Sequence, residues 1–278
     1  MESSSTQHSF LSGPILAPLI RFALPLMLSL LLQAFYGGVD LAVVGQFSPT
    51  ASVSAVATGS QVMQSITSIL TGLTMGVTVL VGKAMGSGAP ARAGQVVRSQ
   101  IRLFTLVALL LTGLMLLFAP QAAQLMNVPD AAMGEAVAYI RICLAGIVFI
   151  TAYNGISGIF RGVGNSRSPF LFVLIACLVN VVLDVLFVGV FHLHAAGAAL
   201  ATVIAQATSV VFSLVYIRLN PLPFSIPTPW RSAEGRAGAI LKVGSPIALQ
   251  DFLTNLSFLI ITSIVNSLGL IEIGRAHV

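Results

Sequence analysis

The chain has 278 residues, of which 56% are hydrophobic and only 8% are charged, and its mean hydropathy is +0.99. Soluble domains carry about 25% charged residues, so this composition cannot cover a water-facing surface and excludes an ordinary soluble protein. The net charge of +5 would suit a nucleic-acid partner, but its distribution along the chain indicates membrane orientation instead, and we expect no nucleic-acid partner.

Long apolar segments dominate the sequence. A membrane-spanning helix needs about 20 mainly apolar residues, and seven segments meet this requirement. In chain order the predicted spans are Leu19–Val44, Val53–Val81, Ile101–Phe118, Ala136–Phe160, Pro169–Val190, Ala195–Ile217 and Ile240–Leu268. The pattern predicts an all-α membrane protein.

Positive charge alternates between the connections. The connections after the second, fourth and sixth spans contain Lys and Arg, whereas those after the first, third and fifth contain none. The basic residues are Lys83, Arg92, Arg98, Arg102, Arg161, Arg167, Arg218, Arg231, Arg236 and Lys242. Because Lys and Arg are enriched in cytoplasmic loops, we expect a multi-pass protein of the bacterial inner membrane with a cytoplasmic N-terminus.

Residues 219–239 are predicted to be a cytoplasmic linker, since four prolines within Pro221–Pro229 cannot form a regular helix. The linker would separate an N-terminal six-helix transmembrane lobe, residues 1–218, from the first helix of a second lobe, residues 240–271. Arg21–Pro25 and Lys242–Pro246 share a pattern: a basic residue, a proline four positions on, and then a long apolar run. A repeat that begins after six helices is typical of a two-lobed transporter.

The last seven residues, 272–278, read Glu-Ile-Gly-Arg-Ala-His-Val. They resemble the translation of a sequencing adapter, so we interpret them as a non-native tail and expect the chain to be incomplete after the seventh helix. The alternative is an ordinary short polar tail.

Acidic residues inside the spans are the first candidate functional residues. A charge at a helix centre costs about 2.5–3.5 kcal/mol on insertion scales and marks a functional site by default. The spans contain Asp40, Asp184 and Asp251. Gln33 and Tyr36 precede Asp40 by seven and four positions, so one face of the first helix is polar. The alternative places Asp40 at the helix end, solvated in the headgroup region.

Asp184 lies deeper in its span, with Asn180 one turn earlier on the same side. Carboxylate and amide oxygens suit Na⁺, and a desolvated carboxyl group equally suits a proton. Thr202 and Tyr139 offer hydroxyl oxygens that would complete such a pocket. The alternative is a structural hydrogen-bonded pair, with Thr202 and Tyr139 serving ordinary helix packing.

Enzyme signatures are missing from the sequence. Cys143 and Cys177 lie in apolar runs without neighbouring ligand residues, and His192 and His194 lie in a short polar connection. The metalloprotease, hydrolase and phosphate-loop motifs are all absent from it. We therefore expect no enzyme, no metal beyond a Na⁺ at the cation site, and no cofactor.

Several segments together resemble the multidrug and toxic compound extrusion (MATE) family, up to Leu270. They are Ala23–Leu26, Val39–Phe47, Gly82–Gly88, Phe160–Pro169, Asn180–Asp184 and Lys242–Ile247. The resemblance implies twelve helices in two lobes around a central cavity. It also implies monomers in membrane lipid that export cationic or amphiphilic small molecules by alternating access, driven by Na⁺ or H⁺.

The resemblance also assigns roles to residues. Five positions match the cation-binding network of the N-terminal lobe: Asp40, Tyr139, Asn180, Asp184 and Thr202. Three match positions that line its drug cavity: Gln33, Tyr36 and Asn154. The chain departs from the family at Thr254, where one branch carries a glutamate in the seventh helix.

Two alternatives stay open. A lipid-linked oligosaccharide flippase of the same fold would need several Arg or Lys residues in its cavity to hold pyrophosphate. An intramembrane enzyme, which is a different class, would need a nucleophile–base pair or a metal constellation within the spans.

Overall fold

The computed structural model describes residues 15–227 and 236–267, and the regular structure within these residues is helical throughout. The helices are α1 (Leu16–Phe47), α2 (Thr50–Gly86), α3 (Pro90–Leu125), α4 (Asp130–Ala145), α5 (Ile147–Gly162), α6 (Arg167–Asp184), α7 (His194–Leu219) and α8 (Ala237–Ser267). A π-helical segment, Val185–Val190, continues α6. The predicted fold class, an all-α membrane protein, is confirmed.

The helices account for all seven predicted spans. Six segments of α1, α2, α3, α6 with its π-helical extension, α7 and α8 are individually long and apolar enough to cross a membrane. Helices α4 and α5 meet at Gly146 with a bend of 50°, and the pair together has the length and composition of a seventh span. Large apolar side chains such as Leu31 and Leu117 are exposed on the outside of the bundle, as expected for a surface in contact with lipid.

Proline and glycine set several helix boundaries. Pro90 stands in the first turn of α3, where its missing N–H is no loss, and Pro129 immediately precedes α4. Gly88 follows α2 with φ +67°, and Gly164 follows α5 with φ +83°. Such left-handed backbone strongly favours glycine, so these residues end their helices in tight turns.

Helix α2 is the centre of the bundle and packs against α3, α4, α5 and α8. Small residues on α2 make this possible: Gly59 lies under the ring of Tyr139 on α4. Helix α1 packs mainly against α6, and α6 packs against α7. Helices α1, α4 and α7 thus contact α2, and α6 packs on α1 and α7.

The seventh span, α8, packs more extensively on α2 than on any other helix. The preceding segment crosses the start of α3, where the Ser225 carbonyl lies over Gly94 and the Arg236 N–H donates to Ser99 Oγ at 2.9 Å. Residues 221–227 are non-helical, as expected for the linker. The division into 1–218, 219–239 and 240–271 stays a prediction, and residues 272–278 lie outside the described part of the chain.

Candidate functional site

Two carboxyl groups meet in the interior of the bundle. Asp40 on α1 is 5% exposed, and Asp184 on α6 is completely buried. Their side chains lie next to each other. Asp184 is the last α-helical residue before the π-helical segment Val185–Val190, and π-helical insertions occur frequently at functional sites.

The carboxyl pair has few hydrogen-bond partners. Thr202 Oγ1 donates to Asp40 Oδ2 at 3.3 Å, and Asn180, which is 1% exposed, lies beside Asp40. Within the described ranges, Asp40 Oδ1, both carboxyl oxygens of Asp184 and both amide atoms of Asn180 are buried without a partner. Buried polar atoms are normally satisfied. This cluster of oxygens is therefore suited to a monovalent cation or to a proton held between the two carboxyl groups.

A polar cavity of about 210 Å³ adjoins the pair on the side of Asp40. Its polar lining, besides Asp40, consists of amides, phenols and hydroxyls: Gln33, Gln64, Asn154, Gln206, Tyr36, Tyr139, Tyr153, Ser60, Thr67, Thr71 and Thr202. The residues described as lining it include neither Lys nor Arg. The cavity is thus rich in hydrogen-bonding groups and carries one acidic side chain.

The structure places the predicted residues in two layers. Gln33, Tyr36, Asn154, Asp40, Tyr139 and Thr202 line the cavity, whereas Asn180 and Asp184 lie behind Asp40 and do not. The Tyr139 hydroxyl is hydrogen-bonded to Ser60 Oγ at 2.9 Å rather than to Asp40. The Asn154 amide donates to the Ile150 carbonyl within its own helix at 2.8 Å. The predicted residues therefore converge, although their roles stay predictions.

Comparison with known proteins decides the family. Residues 25–186, which include both carboxyl groups, match the MatE family. The chain belongs to the MatE family. The resemblance found in the sequence is confirmed.

Curated relatives of this MatE chain include two named as multidrug resistance proteins. It is 29% identical over 270 residues to the "Probable multidrug resistance protein YpnP" of Bacillus subtilis, covering 94% of this chain and 59% of the relative. It is 26% identical over 260 residues to the "Probable multidrug resistance protein NorM" of Thermotoga maritima, covering 89% of this chain and 54% of the relative. The chain thus spans about half the length of these curated relatives.

Solved structures support the fold. The chain is similar to an outward-facing multidrug resistance MATE transporter with a TM-score of 0.78 at 24% identity, covering 84% of this chain and 52% of that one. It is also similar to an inward-facing MATE transporter with a TM-score of 0.80 at 21% identity, covering 92% and 58%. The MatE fold of these spans is therefore common to both conformations.

The sequence analysis missed one side of the MatE cavity, the one formed by α2. Ser60, Gln64, Thr67 and Thr71 all line it. They follow each other at intervals of four, three and four residues, which is the spacing of one helical face. This polar stripe was a detectable signal, but hydroxyl residues are common enough in spans that the stripe alone does not separate a cavity from helix packing.

Proposed function

We propose that this MatE chain provides the coupling-ion site and a wall of the substrate cavity in an antiporter. The antiporter would take up Na⁺ or H⁺ and export cationic or amphiphilic small molecules across the bacterial inner membrane. One observation carries the proposal: two buried, largely unpartnered carboxyl groups lie next to a polar cavity, and one of them, Asp40, lines it.

The position of Asp40 supplies a physical basis for exchange. Asp40 touches Asp184 on one side and the cavity on the other. Two adjacent carboxylates repel each other strongly in a low-dielectric interior, so a cation or proton bound to the pair stabilises it. A cationic substrate in the cavity would interact with the same Asp40 charge. Ion and substrate therefore compete for one carboxylate, which is the linkage that antiport requires.

Alternating access would convert this competition into transport. Occupation of the pair removes negative charge from the cavity wall and lowers its affinity for a cationic substrate. Pro25 interrupts the hydrogen-bond ladder of α1, and Ser29 Oγ donates to the Pro25 carbonyl at 2.8 Å. We propose that α1 bends near Pro25 when the ion binds, so that substrate is released to the outside.

The cavity chemistry favours export of cations over flipping of an anionic lipid. Phenol rings from Tyr36, Tyr139 and Tyr153 line the cavity, and aromatic faces attract cations. A pyrophosphate group would need Arg or Lys, and the described lining has neither. We further propose that the N-terminus is cytoplasmic, that the protein is a monomer surrounded by lipid, and that it needs no cofactor.

The experiment compares Asp40→Asn and Asp184→Asn with the wild type, in a full-length transporter that includes this chain, in efflux-deficient bacterial cells. Fluorescent-dye efflux is measured with and without Na⁺ and with and without a proton gradient. We expect both variants to lose cation-driven efflux at normal expression, whereas Asp130→Asn, at the exposed first residue of α4, retains it. Wild-type efflux in both variants would overturn the coupling proposal.

A second experiment tests ion binding without measuring transport. A ligand that binds the folded state alone raises the free energy of unfolding by RT ln(1 + [L]/Kd). The purified wild type should therefore show a thermal unfolding temperature that rises with Na⁺ or changes with pH. Asp184→Asn should lose that response, while Asp130→Asn should keep it.

A further inference from the structure

Asp184 and Asp40 differ in what lies around them. Asp40 lines the cavity, whereas Asp184 is completely buried behind Asp40 and is not among the residues that line the cavity. An ion that reaches Asp184 through the cavity has to pass Asp40 and the substrate. The structure beyond Asp184, toward the end of the bundle where α1 ends and α7 begins, offers another route.

An apolar layer lies one helical turn beyond the carboxyl pair in that direction. Val44 follows Asp40 by four residues, Val188 follows Asp184 by four, and Ala198 precedes Thr202 by four. All three side chains are completely buried in one apolar cluster. By this spacing they lie between the carboxyl pair and the end of the bundle along their own helices.

A polar mouth, formed by Ser48, Glu135 and His194, lies beyond the apolar layer. The His194 Nδ1 atom and Ser48 Oγ are 3.1 Å apart, and the Ala195 N–H donates to Glu135 Oε2 at 3.4 Å. All three side chains are partly exposed. Ser48 and His194 lie eight residues from Asp40 and Thr202, or about 12 Å along their helices.

The charge of this end suits a cation. Glu135 is half-buried at the mouth. The other titratable residues in the connections at this end, or next to them, are Asp130 and the exposed His192. The connections at this end, residues 48–49, 126–129 and 191–193, contain no Lys or Arg. A carboxylate at the opening of a low-dielectric passage raises the local cation concentration and the association rate.

We propose that the coupling ion reaches Asp184 through the polar mouth and the apolar layer, separately from the substrate cavity. This proposal rests on the proposed function. The apolar layer is the barrier that is closed in this structure, and Glu135 is a positioning residue that attracts the ion. Separate routes let the ion arrive while the cavity holds substrate.

The test measures thiol modification of the full chain in lipid nanodiscs. Cys143 and Cys177 are replaced by Ser, and one new cysteine is added. Asp184→Cys reports on the proposed route, and Gln64→Cys, at an exposed cavity-lining position, reports on the cavity. The probes are a small cationic methanethiosulfonate and a neutral one of similar size.

Two changes should act on the Asp184→Cys reporter alone. Val44→Ala with Val188→Ala should speed its modification by both reagents by roughly tenfold, because it thins the barrier. Glu135→Gln should slow the cationic reagent by roughly tenfold and leave the neutral reagent unchanged. The Gln64→Cys reporter should respond to neither change.

Three results would overturn the proposal. The modification rate at position 184 could be unaffected by both changes, it could change in parallel with the rate at position 64, or Glu135→Gln could slow both reagents equally. If the double alanine variant does not elute as a folded protein, Val44→Thr is used in its place, because it adds a hydroxyl to the apolar layer at nearly constant volume. The outcome is independent of the efflux experiment with Asp40→Asn and Asp184→Asn, so the two proposals fail separately.

Discussion

Gly72 on α2 lies directly against the backbone of Ala248 on α8, so closely that a Cβ atom at position 72 would overlap it. One turn along, a Cβ at Gly76 would lie 2.8 Å from the Ile240 carbonyl oxygen and 2.9 Å from the Gly244 nitrogen. The two helices run antiparallel, and small residues four positions apart face each other on both. Such spacing lets membrane helices approach closely enough for extensive van der Waals contact.

The crossing predicts that Gly76→Leu destabilises the protein by about 1–3 kcal/mol, because the new side chain forces α8 away from α2. The measurement is the thermal unfolding temperature in detergent, followed by size-exclusion chromatography. Gly113→Leu on α3 is the matched control, since a Cβ there meets nothing within 4 Å. Equal unfolding temperatures for the two variants would show that the crossing contributes nothing.

The Thr202 hydroxyl lies beside the carboxyl pair and donates to Asp40 Oδ2 at 3.3 Å. We expect the Thr202 hydroxyl oxygen to contact the bound ion, so Thr202→Val, which removes that oxygen, should lower the apparent ion affinity read from the unfolding temperature roughly tenfold. Thr202→Ser keeps the hydroxyl and should respond like the wild type.

Thr208→Val, six residues further along α7, controls for loss of a hydroxyl from the same helix. The Thr208 hydroxyl donates within α7, to the Ile204 carbonyl at 2.8 Å. If Thr208→Val weakens the ion response as much as Thr202→Val, the contact with Asp40 is not the cause.

Tyr139 should matter less to the ion than its place in the predicted network implies. Its hydroxyl is hydrogen-bonded to Ser60 at 2.9 Å, and its ring packs on Gly59. We expect Tyr139→Phe to cost about 1 kcal/mol of stability, the value of one neutral hydrogen bond, and to keep most of the cation response. Loss of the response in Tyr139→Phe, with Ser60→Ala unaffected, would make the phenol a direct ion ligand.

The sequence predicted the spans well because each is long and almost free of charge, so the requirement to satisfy the backbone in lipid leaves few alternatives. It did not predict the 50° bend between α4 and α5. Ala136–Phe160 is mainly apolar, contains no proline and is long enough for a single span. The bend occurs at Gly146, against which Val203 of α7 packs so closely that a Cβ would overlap it, and such a contact between distant segments leaves no local signal.

In the candidate site, too, some features were predictable from the sequence and others were not. A carboxylate in the middle of a span is costly enough to be noticed from sequence, so Asp40 and Asp184 were predictable as functional candidates. The partner of Tyr139 was not, because Ser60 is separated from it by 79 positions and many serines in spans merely donate to their own helix, as Ser65 does to Gln61. The apolar layer was equally hidden, since valine and alanine carry no signal in an apolar helix.

The segment before α8 is held to α3 by identifiable contacts that can be tested. Ser99 Oγ accepts from the Arg236 N–H at 2.9 Å, and the Arg236 guanidinium donates to Gln95 Oε1 at 3.4 Å. Loss of one such bond costs about 1 kcal/mol, which is roughly a fivefold change in the population of the released segment. Ser99→Ala should therefore speed trypsin cleavage after Arg236 by roughly fivefold.

Gln95→Glu provides the opposite change at the same place. It puts a carboxylate beside the Arg236 guanidinium, and a charge-assisted hydrogen bond is stronger than a neutral one. Cleavage after Arg236 should therefore slow in this variant and speed up in Ser99→Ala, as followed by intact-mass spectrometry over time. Because the two variants change the attachment of Arg236 to α3 in opposite directions, a general loss of folding cannot imitate the result. Equal cleavage rates in both would mean that other contacts hold the start of α8 against α3.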